Sequence, residues 1–172
     1  MAFQIVSFLL GVMAGLIGGA CLLRAYMQYQ RVPFGNPIGR FVFAVTDWLV
    51  LPLRKVLPSI KRVDTASIVA AFLIELVHQG LLLAMLGSGL ALLPVVAFLG
   101  LLRLAISSLI ALVIIYAILS WVRSDSPVTD VVDRLCAPLL RPFRRIIPLV
   151  GGIDLSPLAL LVVLQVTSML LG

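Results

Sequence analysis

Charge is what this sequence has least of. Only 12% of its 172 residues are Asp, Glu, Lys or Arg, while 62% are hydrophobic; an ordinary soluble domain carries about 25% charge. A chain so composed cannot cover itself with solvated side chains, which excludes a water-soluble globule and leaves an integral membrane protein. Histidine is nearly missing, His78 being the single imidazole, and the two cysteines, Cys21 and Cys136, show neither metal-ligand spacing nor a framework of pairs. Ser107, Ser108 and Ser156 lack a Gly-x-Ser-x-Gly context, and there is no phosphate loop or dinucleotide fingerprint. An enzyme is therefore not expected, and no cofactor is called for. No Lys or Arg precedes the first apolar run, so residues 3–29 read as a retained span rather than a cleaved secretory signal.

The few charges are gathered in two blocks. Seven Lys or Arg lie from Arg24 to Arg62 and five from Arg123 to Arg145, with Arg103 between them. Sliding the chain by 90 positions lays Tyr26 on Tyr116, Pro37 on Pro127, Pro52 on Pro142, Arg54 on Arg144, Lys55 on Arg145, Pro58 on Pro148 and Asp64 on Asp154. Such self-similarity has to be settled before any fold is proposed. The repeating unit is an apolar run, a basic Pro-broken segment and a second apolar run. The chain divides into one unit at 1–88 and another at 89–172.

The fold class expected is an all-α membrane protein of two tandem parallel repeats, each a transmembrane helix, an interfacial basic elbow and a transmembrane helix. Apolar stretches at 3–29, 65–86, 90–121 and 158–171 supply the spans, about 20 residues being enough to cross a hydrocarbon core; the fourth is short counted strictly and suffices only with Pro157 inside the membrane boundary. The third is long enough to be tilted, or broken near Pro94. Asn36-Pro37 and Ser126-Pro127 read as N-cap and first helical residue of the two elbows. Pro138, Pro142 and Pro148 are expected to interrupt any continuous helix in the second elbow. In the first, Arg40, Asp47 and Arg54 recur every seven residues and form a narrow polar stripe. Gly11, Gly15 and Gly19 share one face of the first span, where a neighbouring helix can approach closely.

Charge also sets an expected orientation. Both basic blocks belong in the cytoplasm by the positive-inside rule, with both termini outside. Basic residues beside apolar spans point to anionic headgroups rather than to nucleic acid. Arg54, Lys55, Arg141, Arg144 and Arg145 are accordingly the expected contacts with lipid, or with another membrane protein or a second copy. Within the spans, Glu75 and His78 are three residues apart and share a helix face. One copy of that spacing, with no second histidine, favours a structural pair over a metal site, and Arg103 or Gln165 is its expected partner.

The repeated signature Pro-x-Arg-basic-x-x-Pro followed by Asp runs from Pro52 to Asp64 and again from Pro142 to Asp154, with the fuller ending Ile153-Asp154-Leu155-Ser156-Pro157. It resembles the YggT family, also called YlmG, over nearly the whole chain as two tandem units. The first unit departs from the pattern where Thr65-Ala66-Ser67 replaces Leu-Ser-Pro. The resemblance implies a small bacterial inner-membrane protein, with chloroplast relatives tied to haem attachment during cytochrome b6f assembly and to nucleoid distribution. Bacterial relatives are tied to division-gene neighbourhoods and osmotic tolerance. It brings no catalytic residue. The expected function is thus that of a non-enzymatic scaffold or assembly factor; a transporter or channel component, supported by the parallel repeat and by Glu75, is the alternative.

Overall fold

The computed structural model describes residues 1–87, 89–122, 125–147 and 154–171. Pro148 and Ile153 of the second basic segment, and Arg123, lie outside them. Six α-helices follow one another: α1 (Ala2–Tyr29), α2 (Pro37–Val56), α3 (Thr65–Met85), α4 (Leu93–Val122), α5 (Pro127–Ile146) and α6 (Ser156–Leu170), with a 3₁₀ turn at Leu90–Leu92 leading into α4. No strand occurs among the described residues, only an isolated bridge between Ile60 and Val63. Phe3–Tyr29, Thr65–Met85 and Leu90–Val122 are long and apolar enough to cross a membrane, and α6 is a shorter apolar helix. At 1.5 Å per residue α6 rises only about 22 Å, against about 45 Å for α4.

The two halves repeat the same hairpin. In the first, α1 and α3 pack along each other with α2 laid over both, and α4, α6 and α5 do the same in the second. One hydrophobic cluster gathers Cys21, Val50, Ala66, Ala70 and Ala71; another gathers Val113, Val132, Cys136, Leu140 and Leu160. Val50 and Leu140, and Ala70 and Leu160, are 90 apart. A third cluster joins the halves, bringing Met27, Val32 and Val42 against Val131 and Leu135. Tyr26 crosses the same seam and donates its hydroxyl to the Leu135 carbonyl at 2.8 Å. The two elbow helices therefore lie at the same end of the bundle and touch.

Local chemistry explains the elbow entrances. The Asn36 side chain accepts the Gly39 N–H at 2.8 Å, and Pro37 enters the first turn, where its missing N–H is no loss. Gly39 is required there, because a Cβ would lie 2.2 Å from the Phe34 carbonyl oxygen. Ser126 caps α5 in the same way, accepting the Thr129 N–H at 3.2 Å.

One expectation needs correction. α5 runs unbroken through Pro138 and Pro142, and α2 runs through Pro52. Pro138 and Pro142 stand one turn apart on the outward face with Arg134, Arg141 and Arg145, all exposed. The carbonyls their missing N–H groups release thus face outward, where they need no protein donor. The third apolar stretch opens on the 3₁₀ turn Leu90–Leu92 and continues as α4 with Pro94 in its first turn, so its start is set apart next to Pro94 and the rest is one helix. The polar stripe of α2 packs over other helices, as its pattern allows, with Asp47 and Arg54 held by partners on α1 and at the start of α3. The exposed side of α2 carries Phe41, Trp48 and Leu51 beside Arg40 and Lys55.

Candidate functional site: two elbow clamps

Each elbow ends on a clamp. Arg54, in the last turn of α2, pairs with Asp64, the N-cap of α3; Arg144, in the last turn of α5, donates from Nε to Asp154 at 2.8 Å, just before α6. The arginines sit at helix carboxyl ends and the aspartates at the starts of the next helices, so each charge also meets a favourable helix dipole. Arg54 and Arg144, expected to face lipid, are thus committed to carboxylates. Among the described residues no carboxylate pairs with Lys55, Arg141 or Arg145, and all three are exposed.

The clamps differ in depth. Asp64 is fully buried and is held further by the Ser67 hydroxyl at 2.7 Å and the Ser67 N–H at 3.3 Å. Burial opposes its charge, but the hydrogen bonds and positive charge of Arg54, with those of Ser67, outweigh that and hold its carboxyl below the usual range. Arg54 also donates to the Gln28 amide oxygen at 3.0 Å. Behind the clamp lies Arg24, only 2% exposed, which donates to the Thr46 hydroxyl at 2.8 Å and to Asp47 at 2.6 Å. Its guanidinium carbon stands 4.7 Å from the Phe43 ring centre, and its Nε lies 3.9 Å from the Asp64 carboxylate.

The second half has no such layer. Ninety residues on, Ile114, Cys136 and Ala137 stand in place of Arg24, Thr46 and Asp47. The polar trio has been exchanged as a unit for an apolar one. Here the clamp is open to solvent, Arg144 being 44% and Asp154 29% exposed. Arg144 donates a second time, to the Tyr116 hydroxyl at 2.6 Å, and Asp154 accepts the Ser156 N–H at 2.9 Å. For Asp154 burial is again outweighed, by Ser156 and Arg144, and its carboxyl is lowered; for Arg144 the bond to Asp154 overcomes burial and raises the guanidinium. Cys136, on the buried face of α5, is pushed up to about 12, chiefly by burial and then by Asp133.

Polar side chains within the spans form a separate group. Glu75 is buried on α3, its Oε2 lying 3.5 Å from His78 Nδ1 and accepting the Gln79 amide N–H at 3.3 Å. Gly100 makes room for that carboxylate: a Cβ there would be 2.6 Å from Oε2. The two expected outside partners do not reach it. Arg103 donates twice to the Leu171 carbonyl, at 3.0 and 2.5 Å, and so satisfies the carboxyl end of α6. Gln165 is exposed on α6, and no hydrogen bond joins it to Glu75 among the described residues. Of the glycine series, Gly11 lies near His78 and Gly19 near Ser108, Gly15 has nothing within 4 Å, and the tightest approach is at Gly18, against Leu104. No group of three or more His, Cys, Asp or Glu able to hold a metal occurs among the described residues.

The CCB3/YggT family model matches the chain twice, at residues 3–85 and 95–172. The chain belongs to this family. It is 38% identical over 167 residues to the YggT protein of Escherichia coli strain K12, covering 95% of this chain and 87% of that one. It is also similar to a Vibrio alginolyticus protein of the proC 3′ region, 34% identical over 171 residues, with 96% and 92% covered. A Haemophilus influenzae protein is 36% identical over 149 residues, with 83% and 78% covered. No solved structure matches. The two matched stretches each hold one whole clamp, Arg54 with Asp64 and Arg144 with Asp154, so the YggT unit and the clamped hairpin coincide.

Arg24, Phe43, Thr46, Asp47 and Tyr116 were not singled out for these roles by sequence reasoning. The available signal was a lone arginine near the end of an apolar run, five residues before Tyr29, with no counterpart in the second unit.

Proposed function

We propose that this chain is a non-enzymatic scaffold or assembly factor of the bacterial inner membrane. Both elbows lie on the cytoplasmic face in this reading, with both termini outside. They meet anionic headgroups and other membrane proteins there. The observation that carries it is the clamp. A bare topology signal needs basic residues near span ends but no fixed carboxylate for each, whereas a clamped elbow holds its outward side chains at a set position. Those outward side chains are Lys55 with Phe41, Trp48 and Leu51 on α2, and Arg141 and Arg145 on α5.

A buried Glu75 at mid-span is the observation that favours the other reading, a transporter component. Glu75 is spoken for by His78 and Gln79, and Arg103 by α6, which supports packing over conduction. The test is affinity capture of the tagged chain in mild detergent, beside a variant with Asp64→Asn and Asp154→Asn. A specific membrane protein should accompany the parent chain and be lost from the variant, which should still insert. Capture without any partner, together with ion flux through the pure chain in liposomes, would replace the scaffold reading with the transporter.

A further inference from the structure

The outer faces of the two elbows are chemically opposite. Ala44, Trp48 and Leu51 of α2 occupy the places that Arg134, Pro138 and Arg141 hold on α5, 90 residues on. The apolar face of α2 suits hydrocarbon or protein. On α5, Pro138 and Arg141 instead border a concavity of about 520 Å³, lined with them by Ala137, Arg144 and Arg145.

We propose that this concavity is a binding site for the phosphate of an anionic phospholipid headgroup, and that the phosphate takes Arg144 over from Asp154. Three arginines line one hollow, and among the described residues only Arg144 of the three has a carboxylate partner. Guanidinium forks match phosphate oxygens in geometry and charge. A phosphate seated between Arg141 and Arg145 presents Arg144 with an anion that two further cations already hold. Asp154 keeps the Ser156 N–H when Arg144 leaves, so neither the carboxylate nor the start of α6 is left bare. The first half cannot make this exchange, because Asp64 is fully buried and Arg24 stands behind it. The site thus gives the second unit a headgroup-responsive latch between α5 and α6 while the first stays locked. It rests on the reading that the elbows lie against the cytoplasmic leaflet, since that is where the anionic headgroups are.

The test uses the full-length chain, purified in mild detergent and titrated with short-chain phosphatidylglycerol, short-chain phosphatidylcholine or inorganic phosphate. Arg141→Gln and Arg145→Gln should each weaken phosphatidylglycerol binding about fivefold, the worth of one basic residue near a headgroup. Lys55→Gln, an equal charge change on α2, should leave binding unaltered. Asp154→Asn should tighten it by freeing Arg144, whereas Asp130→Asn, the same charge change at the other end of α5, should not. The arginine and lysine variants alter exposed side chains outside the clamps, so their comparison stands even where Asp154→Asn unfolds the chain. Equal losses from Lys55→Gln and Arg145→Gln would mean diffuse attraction only; the site fails, and the leaflet reading survives. No preference for phosphatidylglycerol over phosphatidylcholine in the parent chain would remove both. Displacement of the lipid by inorganic phosphate at equal concentration would overturn the headgroup assignment.

Discussion

Arg144 lies 2.8 Å from Asp154, ten residues further along the chain, and Arg54 holds Asp64 across the same interval. One contact thus appears twice in a single chain, once buried and once open to water. Removing the aspartate should hurt the two halves unequally. Asp64→Asn leaves Arg54 and the buried Arg24 without their shared anion, a loss of about 3–5 kcal/mol. Asp154→Asn exposes Arg144 to solvent that already reaches it, a loss of about 1 kcal/mol or less. Thermal unfolding in one detergent compares them directly; equal losses would mean that burial does not set the strength of the clamp.

The exchange of Arg24, Thr46 and Asp47 for Ile114, Cys136 and Ala137 makes a second prediction, on coupling. Asp47→Ala alone takes the carboxylate from a guanidinium that is 2% exposed. Asp47→Ala combined with Arg24→Ile gives both charged positions the residues of their counterparts in the second half, Ala137 and Ile114, with Thr46 kept. The double variant should therefore be more stable than Asp47→Ala, because removing the buried guanidinium together with its carboxylate is often neutral while stranding that charge is not. A double-mutant cycle on unfolding free energies measures the coupling, and simple additivity would contradict it.

Acid should loosen the clamps in a definite window. Asp64 and Asp154 are both held below their ordinary carboxyl range in the folded chain. Their stabilisation is fully present above the unfolded carboxyl value of about 3.9 and is lost as pH falls through the lower folded values. Unfolding temperature should stay flat with respect to these two groups from neutrality down to about pH 4 and then fall. In Asp64→Asn the acid-side fall should be smaller. An undiminished fall in that variant would assign the acid sensitivity to other groups.

These contacts mark where sequence reasoning succeeds and where it stops. The repeat, the three long apolar helices and the elbow caps were legible because apolar periodicity, Asn36-Pro37, Ser126-Pro127 and the 90-residue match act locally. Asp64 and Asp154 were visible as helix starts. What they bind was not, because pairing Arg54 inward rather than toward lipid depends on how α2 rotates against α1. That rotation is set by Gly39, Val42, Thr46 and Val50 packing at the seam, which no spacing rule weighs. Pro138 and Pro142 misled for a related reason: a proline ends a helix when its freed carbonyl is stranded, and here the outward face leaves it accessible.

Glycine substitutions should separate tight helix contacts from loose ones. A methyl group inside a helix gains up to about 1 kcal/mol over glycine where there is space. Gly15→Ala meets nothing within 4 Å and should be neutral or stabilising, whereas Gly100→Ala places a Cβ 2.6 Å from Glu75 Oε2 and 3.1 Å from Gln79 Nε2. That atom belongs to a buried carboxylate already held by two neighbours, so it cannot simply swing aside, and the variant should unfold at lower temperature than the parent. Equal melting temperatures for both variants would show that α3 and α4 approach less closely there.

Glu75 decides between packing and conduction. Its carboxylate sits ten residues into α3, about 15 Å along the helix from Thr65, so neither end of the span readily hydrates it. If its role is to fill and hydrogen-bond the space that Gly100 leaves, Glu75→Gln keeps the shape and an acceptor oxygen for Gln79. That variant should then insert, fold and retain partners like the parent, with only a modest loss of thermal stability in detergent. Glu75→Ala should lose more, by about 1–3 kcal/mol, because it empties the buried space beside Gly100 and leaves the half-buried amide of Gln79 without its acceptor. Melting curves and partner capture on both variants check the packing account. An ion flux in liposomes that the parent supports and a fully folded Glu75→Gln abolishes would make Glu75 part of a conduction path and displace that account.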